Sequence, residues 1–359
     1  MNETSIVVTY REQYSEQEAL ELASSAGYRP LITFKVKSMK DGKYGLPTGK
    51  AEQLKKMTEE LKPELVIVDE QLTASQIYHL SKLLGVKTID RIRLILDIFE
   101  KRAMTTEAKL QVKLAELQYE VPRIRETVRL AKMGEQTGPM GYGAYEVDKY
   151  IRFLNRQING LRKKLDRERM RRSLQRQKRI EEDKFIVALA GYTGAGKTTL
   201  FNALTNENKT VTGKMFTTLT TTIRKINGME NVYLSDTVGF IERLPHYLIE
   251  SFKSTLEELK YSDLILLVLD YSLDEELFWR KYTASLNVLE ELEVNLDNVV
   301  AVLNKVDQKK NDFEFKDGHI KEYVEISALK GTNMDKLKAM ILEKYKEGNI
   351  KILDQKELF

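Results

Sequence analysis

The chain of 359 residues contains no cysteine and only three histidines. The absence of cysteine excludes disulfides and thiolate metal sites, and it fits a protein of the cytosol. His79, His246 and His319 lie far apart in the sequence, so we expect no histidine-rich metal cluster. The net charge of +4 is modest, and the distribution of the charge along the chain is more informative than its sum.

Long hydrophobic runs are also absent. The longest apolar runs, at residues 185–190 and 264–269, span six residues each. A membrane-spanning helix needs about 18 apolar residues, so no membrane segment is expected. The first residues contain no basic segment followed by an apolar stretch, which argues against a secretion signal. We therefore expect a cytoplasmic protein that does not enter a membrane and is a monomer when free.

The first third of the chain alternates short β-rich runs with helical patterns. The predicted strands are the runs SIVVTY, LITFKV and ELVIVD. The predicted helices cover residues 16–27, 49–62 and 74–84. This alternation predicts an α/β domain with a largely parallel sheet. From about residue 93 onward the apolar residues recur at helical spacing over a long stretch.

A glycine-rich segment, residues 133–145, predicts a loop between two long helices. The second helix is predicted over residues 147–183 and has a coiled-coil-like seam of apolar residues. The seam residues are Ile151, Leu154, Ile158, Leu161 and Leu165. The two helices and their loop predict a helical hairpin that projects from the α/β domain.

The second half of this helix is strongly basic. Residues 162–179 contain ten Lys and Arg against two acids, Asp166 and Glu168. A solvated helix face is one interpretation, because runs of charge are commonly no more than that. A surface that contacts a nucleic-acid phosphate backbone is the other.

A second α/β pattern begins at Phe185, with the predicted strands FIVALA, NVYLSD, LILLVLD and NVVAVLN. Directly after the first of these strands, the segment GYTGAGKT at residues 191–198 matches the phosphate-loop pattern G-x-x-x-x-G-K-[ST]. Its glycines let main-chain N–H groups surround phosphates, and a helix N-terminus follows. Lys197 would reach the β- and γ-phosphate oxygens, and the Thr198 hydroxyl would bind Mg²⁺.

Three further segments accompany the phosphate loop in the order expected of a guanine-nucleotide site. In NKVD, Asp307 would accept two hydrogen bonds from guanine, a donor pair that adenine lacks. Lys305 would lie along the base, and Asn304 would tie this loop to the phosphate loop. In ISALK, at residues 326–330, which follows a further predicted strand, the Ala328 N–H would suit guanine O6. Together these segments predict guanine specificity.

The segment DTVG offers Asp236 to the Mg²⁺ shell and the Gly239 N–H to the γ-phosphate. Between it and the phosphate loop, FTTLTTT at residues 216–222 lies where a switch loop belongs. Phe240 follows Gly239, at a position where many nucleotide hydrolases have a glutamine that orients the attacking water. A phenyl ring cannot orient water, so another group must do so.

The whole chain resembles the HflX family of ribosome-associated GTPases. The resemblance covers about residues 30–335 and is most specific at residues 90–119; it also rests on GKAEQL, FTTLTTTIR and residues 236–259. It implies an N-terminal α/β HflX domain at residues 1–105 and a helical hairpin at residues 106–183. A Ras-like P-loop GTPase domain follows at residues 184–350, with a C-terminal tail at residues 351–359. It also implies binding of the GTP state to the large ribosomal subunit.

The motifs and the resemblance together give the expected site, with GTP or GDP and Mg²⁺ as ligands. The expected catalytic groups are Lys197 and Gly239, and the expected Mg²⁺ ligands are Thr198 and, by resemblance, the switch threonine Thr218. The expected nucleotide-binding residues are Gly191, Tyr192, Thr193, Gly194, Ala195, Gly196, Lys197, Thr198, Thr199, Phe216, Thr217, Thr218, Leu219, Thr220, Asp236, Thr237, Val238, Gly239, Asn304, Lys305, Asp307, Ser327, Ala328 and Leu329.

Two features depart from the family pattern and one fits it. Family members commonly carry Asn where this chain has Gly194, and in related GTPases that Asn helps to hold potassium, so potassium activation is not expected. The acidic run that usually follows the glycine-rich linker is missing, which leaves a plain flexible connection as the favoured interpretation of the linker. A hydrophobic residue such as Phe240 is usual in the family, where a backbone group, a switch residue or the ribosome would orient the water. His246 is expected to be structural rather than catalytic.

Three functions therefore remain open. The first is a slow GTPase switch that binds ribosomes, and the second is a signalling GTPase whose N-terminal domain binds a protein. The third is an enzyme with a second small-molecule site in the N-terminal domain, hinted at only by the strand-end residue Asp69. The basic helix favours RNA as the partner, because protein interfaces are depleted in lysine.

Overall fold

The computed structural model describes residues 3–39, 42–132, 144–207, 215–216, 222–241, 243, 248, 256–310 and 313–357. The chain divides into two compact units, Met1–Glu168 and Arg169–Phe359. This division falls within the long basic helix. The domain boundaries expected from the sequence, which follow whole elements, stay a prediction.

The first unit contains a four-stranded sheet with the order β2-β1-β3-β4. Its strands are β1 (Thr4–Tyr10), β2 (Arg29–Val36), β3 (Leu65–Val68) and β4 (Lys87–Asp90). All neighbouring strands are parallel. The connecting helices are α1 (Gln13–Ser25), α2 (Thr48–Leu61) and α3 (Ala74–Leu84), and α4 (Arg91–Arg102) follows β4. The predicted α/β architecture with a parallel sheet is confirmed, and β4 is an additional strand that the pattern did not predict.

Local chemistry explains where these helices begin and end. α3 starts with a capping box in which the Thr73 side chain accepts from the Gln76 N–H and the Gln76 side chain accepts from the Thr73 N–H. It ends at Gly85, whose left-handed φ of 66° suits glycine. Apolar residues of α2 and α3 then pack on one sheet face in a single buried core.

A buried ionic cluster at the carboxyl ends of β3 and β4 explains the strand-end residue Asp69. The fully buried Arg91 forms ion pairs with Asp69 and Glu18, and these two carboxylates raise its pKa. Next to it, Asp90 accepts from the Arg93 N–H and from Arg123, which joins the sheet edge to the following helix. Asp69 is therefore held in a structural ion pair, and its position does not support a second small-molecule site.

The helical hairpin consists of α5 (Thr106–Lys132) and α6 (Ala144–Glu181). α5 is separate from α4, because the Thr105 hydroxyl accepts from the Ala108 N–H and starts a new helix. Buried residues of both helices form a common core, which includes four of the five predicted seam residues, with Leu161 packed against it. Most of the glycine-rich loop lies outside the described residues.

The second unit contains a six-stranded sheet with the order β10-β9-β8-β5-β7-β6. Its strands are β5 (Phe185–Ala190), β6 (Thr222–Lys225), β7 (Val232–Asp236), β8 (Leu264–Asp270), β9 (Val299–Asn304) and β10 (Tyr323–Glu325). Only β6, which pairs with β7, is antiparallel. The helices α7 (Lys197–Thr205), α8 (Glu275–Glu291) and α9 (Met334–Glu357) complete the unit, and β5 and β9 are buried along their whole length.

This topology places the carboxyl ends of β5, β7, β8 and β9 along one edge of the sheet, where open α/β sheets bind their ligands. Within the described ranges, none of the helices combines the length and apolar character needed to cross a membrane.

Candidate nucleotide-binding site

The phosphate loop connects β5 to α7 and forms a cradle of main-chain groups. Gly191 has a φ of 135°, and a Cβ there would lie 2.2 Å from the Val268 carbonyl oxygen. Only glycine therefore allows the loop to turn this close to β8. Gly196 precedes the first turn of α7, so the N–H groups at that helix end face the loop. Such a cradle suits an anion.

Lys197 is a buried cation at the centre of this loop. Its Nζ donates to the carbonyl oxygens of Gly191 and Tyr192, each at 2.8 Å. Burial lowers the pKa of Lys197 to about 8, although the charge of Asp236 acts in the opposite direction. The ammonium is thus held at the loop at neutral pH with little hydration to lose when an anion arrives.

The DTVG segment lies against the phosphate loop through main-chain bonds. The Phe240 N–H donates to the Gly191 carbonyl oxygen at 3.0 Å, and the Thr193 N–H donates to the Phe240 carbonyl oxygen at 2.8 Å. The Phe240 ring is buried. A Cβ on Gly239 would lie 3.1 Å from Lys197 Nζ, so this glycine adjoins the lysine. Thr237 is structural, because its hydroxyl donates to the Leu189 carbonyl oxygen at 2.6 Å.

Asn304 connects the predicted base-binding loops to the phosphate loop. Its Nδ2 donates to the Ala195 carbonyl oxygen at 2.9 Å, and its Oδ1 accepts from the Ala328 N–H at 3.0 Å. That N–H, expected to serve guanine O6, is thus engaged by Asn304, and its role toward the base stays a prediction. Asp307 is exposed in a short 3-10 helix, Val306–Gln308.

Two residues missed by the sequence analysis support this loop. Asp270, at the end of β8, lies in register with Asn304 and binds Lys305 Nζ through Oδ2 at 2.6 Å. The next residue, Tyr271, donates its N–H to the Asn304 carbonyl oxygen at 2.8 Å and its hydroxyl to the Phe313 carbonyl oxygen at 2.6 Å. The available signal was that Asp270 stands at the carboxyl end of the predicted strand LILLVLD.

The structure brings most of the expected residues to this sheet edge. Residues 191–199 form the loop and the first turn of α7. Residue 236 ends β7 and residues 237–239 follow it, while residues 327–329 follow β10. Phe216 is buried with a φ of 54°. Thr217, Thr218, Leu219, Thr220 and His246 lie outside the described residues.

The donor chemistry of the site fits Mg²⁺. Thr198 lies on the first turn of α7, and Asp236 ends β7 in register with Leu189 at the end of β5. A hydroxyl and a carboxylate are hard oxygen donors of the kind that Mg²⁺ prefers, and Mg²⁺ commonly keeps several waters besides one or two protein ligands. Among the described residues there is no cluster of three or more His, Asp or Glu that would make a separate metal site.

The fold and the site define a P-loop GTPase attached to an N-terminal α/β unit with a helical hairpin. Comparison with known families matches each part in turn. The family described as "GTP-binding GTPase N-terminal" matches residues 13–100, and "GTP-binding GTPase Middle Region" matches residues 102–179. The family described as "50S ribosome-binding GTPase" matches residues 186–305.

The chain belongs to the HflX family of GTPases. It is 45% identical over 338 residues to GTPase HflX of Methanocaldococcus jannaschii, covering 92% of this chain and 83% of that protein. It is 34% identical over 345 residues to GTPase HflX of Saccharolobus solfataricus, covering 91% and 95%. The resemblance noted from the sequence is thus confirmed, as is GTPase activity as the class of reaction.

A solved structure with both units has the same overall fold. The crystal structure of a GTP-binding protein from Sulfolobus solfataricus in complex with GDP is 28% identical to this chain, with a TM-score of 0.52. The match covers 97% of this chain and 99% of that one. A second structure, the complex of SsGBP and GDP, gives a TM-score of 0.56 at 29% identity.

Proposed function

We propose that this chain is a Mg²⁺-dependent GTPase that hydrolyses GTP slowly and binds the large ribosomal subunit in its GTP state. The arrangement of Phe240 is the observation that carries the slow rate. Its main chain bonds to the phosphate loop while its ring is buried, so this position offers the attacking water no polar side chain. In the described part of the site, main-chain groups and Lys197 are the groups available to stabilise the reacting phosphate.

The proposed reaction is attack of water on the γ-phosphorus of GTP. A bond forms between the water oxygen and phosphorus, and the bond from phosphorus to the bridging oxygen of GDP breaks. The phosphate formed keeps one proton of the water, and the other proton passes to a phosphate oxygen or to solvent. Lys197 and the Gly239 N–H stabilise the negative charge that the phosphate oxygens carry in the transition state. The bonds of Lys197 to the carbonyl oxygens of Gly191 and Tyr192, which keep its ammonium at the phosphate loop, support this role.

Mg²⁺, when bound, would neutralise charge on the β- and γ-phosphates. Thr198 and Asp236 are the described residues that would hold it, together with Thr218. On the base side, Asp307 would select guanine, and Lys305, fixed by Asp270, would lie along the base. Asn304 would keep the base loops in register with the phosphate loop.

The ribosomal part of the proposal has two supports. The family that matches residues 186–305 is described as a 50S ribosome-binding GTPase. The chain also carries the cluster of ten Lys and Arg at residues 162–179, which suits RNA phosphates. The proposed division of labour gives RNA binding to residues 1–105 and 106–183 and nucleotide binding to residues 184–350.

Co-sedimentation with isolated large ribosomal subunits tests this proposal. We expect the protein to sediment with the subunit in the presence of a non-hydrolysable GTP analogue, and much less with GDP or without nucleotide. Lys197→Ala is the control, because it should lose the analogue-dependent fraction. Hydrolysis measured with Mg²⁺ and with a chelator tests the metal requirement. Sedimentation that is the same with every nucleotide contradicts the proposal. Absence of sedimentation with the subunit also contradicts it, and favours a protein partner.

A further inference from the structure

The first part of α6 carries two aromatic side chains on its surface. Tyr150 is 50% exposed and Phe153 is 47% exposed. Their rings are stacked, with centroids 6.4 Å apart and planes inclined by 22°. Single exposed aromatic residues are common on protein surfaces, but a stacked pair forms a continuous apolar platform that water solvates poorly.

The opposite side of α6 is already used in the hairpin core. Its buried residues there are Val147, Ile151, Leu154, Ile158 and Leu165. At 3.6 residues per turn, these lie about 100° to 160° around the helix from Phe153. Tyr150 lies about 60° from Phe153 toward the core side. Both rings are nevertheless about half exposed, and neither belongs to the described hairpin core.

Basic side chains flank Phe153 on the side of the helix away from Tyr150. Lys149, Arg156, Lys163 and Arg167 lie within about 80° of Phe153 around the helix axis. All four are exposed, and none forms an ion pair with another described residue. We name the platform and these four residues the aromatic–basic face.

Between Val147 and Arg167, acidic residues are absent from this face. Residues 147–167 contain seven Lys and Arg and two acids, Asp148 and Asp166. The two acids are about five helical turns apart and share another side of α6, about 140° from Phe153. Glu146 and Glu168, just outside this range, occupy helix positions about 20° and 60° from Phe153 and so bound the face at its two ends. Between them the face combines positive charge with two rings, and it extends about 27 Å along the helix from Lys149 to Arg167.

We propose that the aromatic–basic face binds an unpaired segment of RNA. Tyr150 and Phe153 stack on bases, while Lys149, Arg156, Lys163 and Arg167 contact phosphates. Positive charge complements the phosphates, and exposed rings stack on bases only where the strand is unpaired. A protein partner is disfavoured by the lysines, which protein interfaces generally exclude. The inference rests on the proposed ribosome association and assigns that contact to a specific surface.

The test uses the full chain and two probes, the large ribosomal subunit and a labelled single-stranded RNA of about eight nucleotides, a site size typical of stacking modules. The double variant Tyr150→Ala/Phe153→Ala removes the platform. The double variant Tyr261→Ala/Tyr323→Ala is matched to it, because these tyrosines are 48% and 46% exposed and lie elsewhere. Tyr150→Trp/Phe153→Trp retains two stacking rings.

We expect the platform variant to bind both probes about tenfold to a hundredfold more weakly than the parent, with the tryptophan and matched variants close to the parent. Its salt slope should equal that of the parent, because the substitutions remove no charge. Lys149→Gln/Arg156→Gln/Lys163→Gln/Arg167→Gln should instead lower the slope, by about 0.7 for each phosphate of a single strand that these residues neutralise. An RNA duplex should bind the parent and the platform variant equally. GTP hydrolysis should be unchanged in all of these variants.

Each contrary outcome has a distinct meaning. If the parent binds the ribosomal subunit and the platform variant binds both probes equally well, the inference is overturned while the proposed function stands. If the platform variant no longer binds the subunit and the parent does not bind the RNA oligonucleotide, the face contacts protein and the RNA assignment is overturned. If the parent does not bind the subunit at all, the proposed function fails, and binding of the oligonucleotide alone decides the inference.

Discussion

The side-chain amide of Asn304 donates to the carbonyl oxygen of Ala195 at 2.9 Å and thereby joins the base side of the nucleotide site to the phosphate loop. The same buried amide accepts from the Ala328 N–H at 3.0 Å. One side chain thus holds three separate chain segments. The geometry of the base pocket and that of the phosphate cradle are set together.

Asn304→Ala should therefore weaken nucleotide binding and destabilise the protein together. The change leaves a buried carbonyl and a buried N–H without these partners, at a cost of about 1–3 kcal/mol each. We expect GDP affinity to fall by roughly tenfold or more. Titration with a fluorescent GDP and thermal unfolding measure the two effects.

Asn333→Ala is the control for this variant. Asn333 Nδ2 donates to the Glu325 carbonyl oxygen at 2.9 Å, a comparable bond that does not involve the phosphate loop. It should lower stability with little effect on GDP affinity. Equal GDP affinities for the two variants and the parent would show that Asn304 does not couple the loops.

Asp307→Asn should change the base preference from guanine toward xanthine. The carboxylate accepts two hydrogen bonds from guanine, whereas an amide donates one, which matches the carbonyl that xanthine presents. We expect weaker GTP binding and tighter binding of xanthosine triphosphate, measured by competition against fluorescent GDP. Asp297→Asn, at another exposed aspartate, is the control. Retention of the parent's preference for GTP would count against Asp307 as the base-recognition residue.

Phe240→Leu should change GTP turnover little. The ring supplies no polar group, and the main-chain bonds of Phe240 to Gly191 and Thr193 are kept in the variant. By contrast, Lys197→Ala should lower turnover by roughly a hundredfold or more, as does loss of a charge-stabilising group elsewhere. Single-turnover hydrolysis at saturating GTP makes the comparison.

Phe201→Leu controls for packing, because Phe201 is a fully buried ring in the same unit. Both leucine variants should lose comparable stability. If Phe240→Leu abolishes turnover while its GDP affinity and unfolding temperature match those of Phe201→Leu, the ring itself takes part in hydrolysis.

The part of the site that was accessible from sequence is the part whose chemistry is local. In a phosphate-loop motif a strand precedes the glycine-rich turn, which here ends in Lys197. The apolar run before this turn predicts that strand. Asp270 was missed because its importance depends on lying in register with Asn304 on the neighbouring strand. Its contact with Lys305 arises from the topology of the sheet and not from spacing along the chain.

Pairing between strands also accounts for the two strands that the sequence did not indicate. β4 (Lys87–Asp90) is short and has one strongly apolar residue, Ile89, and its strand conformation comes from parallel pairing with β3. β6 (Thr222–Lys225) is partly exposed and forms only as an antiparallel partner of β7. Helical spacing continues across the break between α4 and α5, so periodicity alone missed the cap at Thr105.

Nucleotide affinity should depend on pH through Lys197. Its pKa is about 8 without nucleotide, lowered by burial, and anionic phosphates will raise it. Affinity should therefore be constant at lower pH and fall as the pH rises above about 8, by up to about tenfold per pH unit until the pKa of the complex is reached. Calorimetry in buffers of different ionisation enthalpy should detect proton uptake on GDP binding at about pH 9 and almost none at about pH 7.

The stability of the nucleotide-free protein should show the opposite trend. The folded-state pKa of Lys197 lies below its unfolded value of 10.5, so the folded state binds fewer protons between about pH 8 and that value. The free energy of unfolding should therefore rise with pH between about pH 8 and pH 10.5, and this group should make it neither rise nor fall below about pH 8. Lys197→Met should remove the contribution and the proton uptake. Uptake that persists in Lys197→Met would assign the titration to another group.

In the basic cluster of α6, Arg169 and Arg172 should have two roles, one in ion pairs with glutamates and one in binding RNA phosphates. Arg169 Nη2 lies 3.3 Å from Glu257 Oε1, and Arg172 Nη1 lies 4.0 Å from Glu258 Oε1. These two arginines therefore already pair with Glu257 and Glu258, which follow the DTVG segment in the sequence. Arg169→Gln/Arg172→Gln removes both the ion pairs and the positive charge, whereas Glu257→Gln/Glu258→Gln removes the pairs alone.

If the arginines bind phosphates of ribosomal RNA, the arginine variant should bind the ribosomal subunit more weakly, with a salt slope lower by about 0.7 to 0.9 for each phosphate that an arginine had neutralised. The glutamate variant should bind as well as the parent or better, because its arginines are released. GDP affinity should be nearly unchanged in both. Equal losses in the two variants would show that the arginines act through their glutamate partners. Binding like the parent's in both would mean that these positions are a solvated face, and RNA binding would then depend on other parts of the segment at residues 1–183.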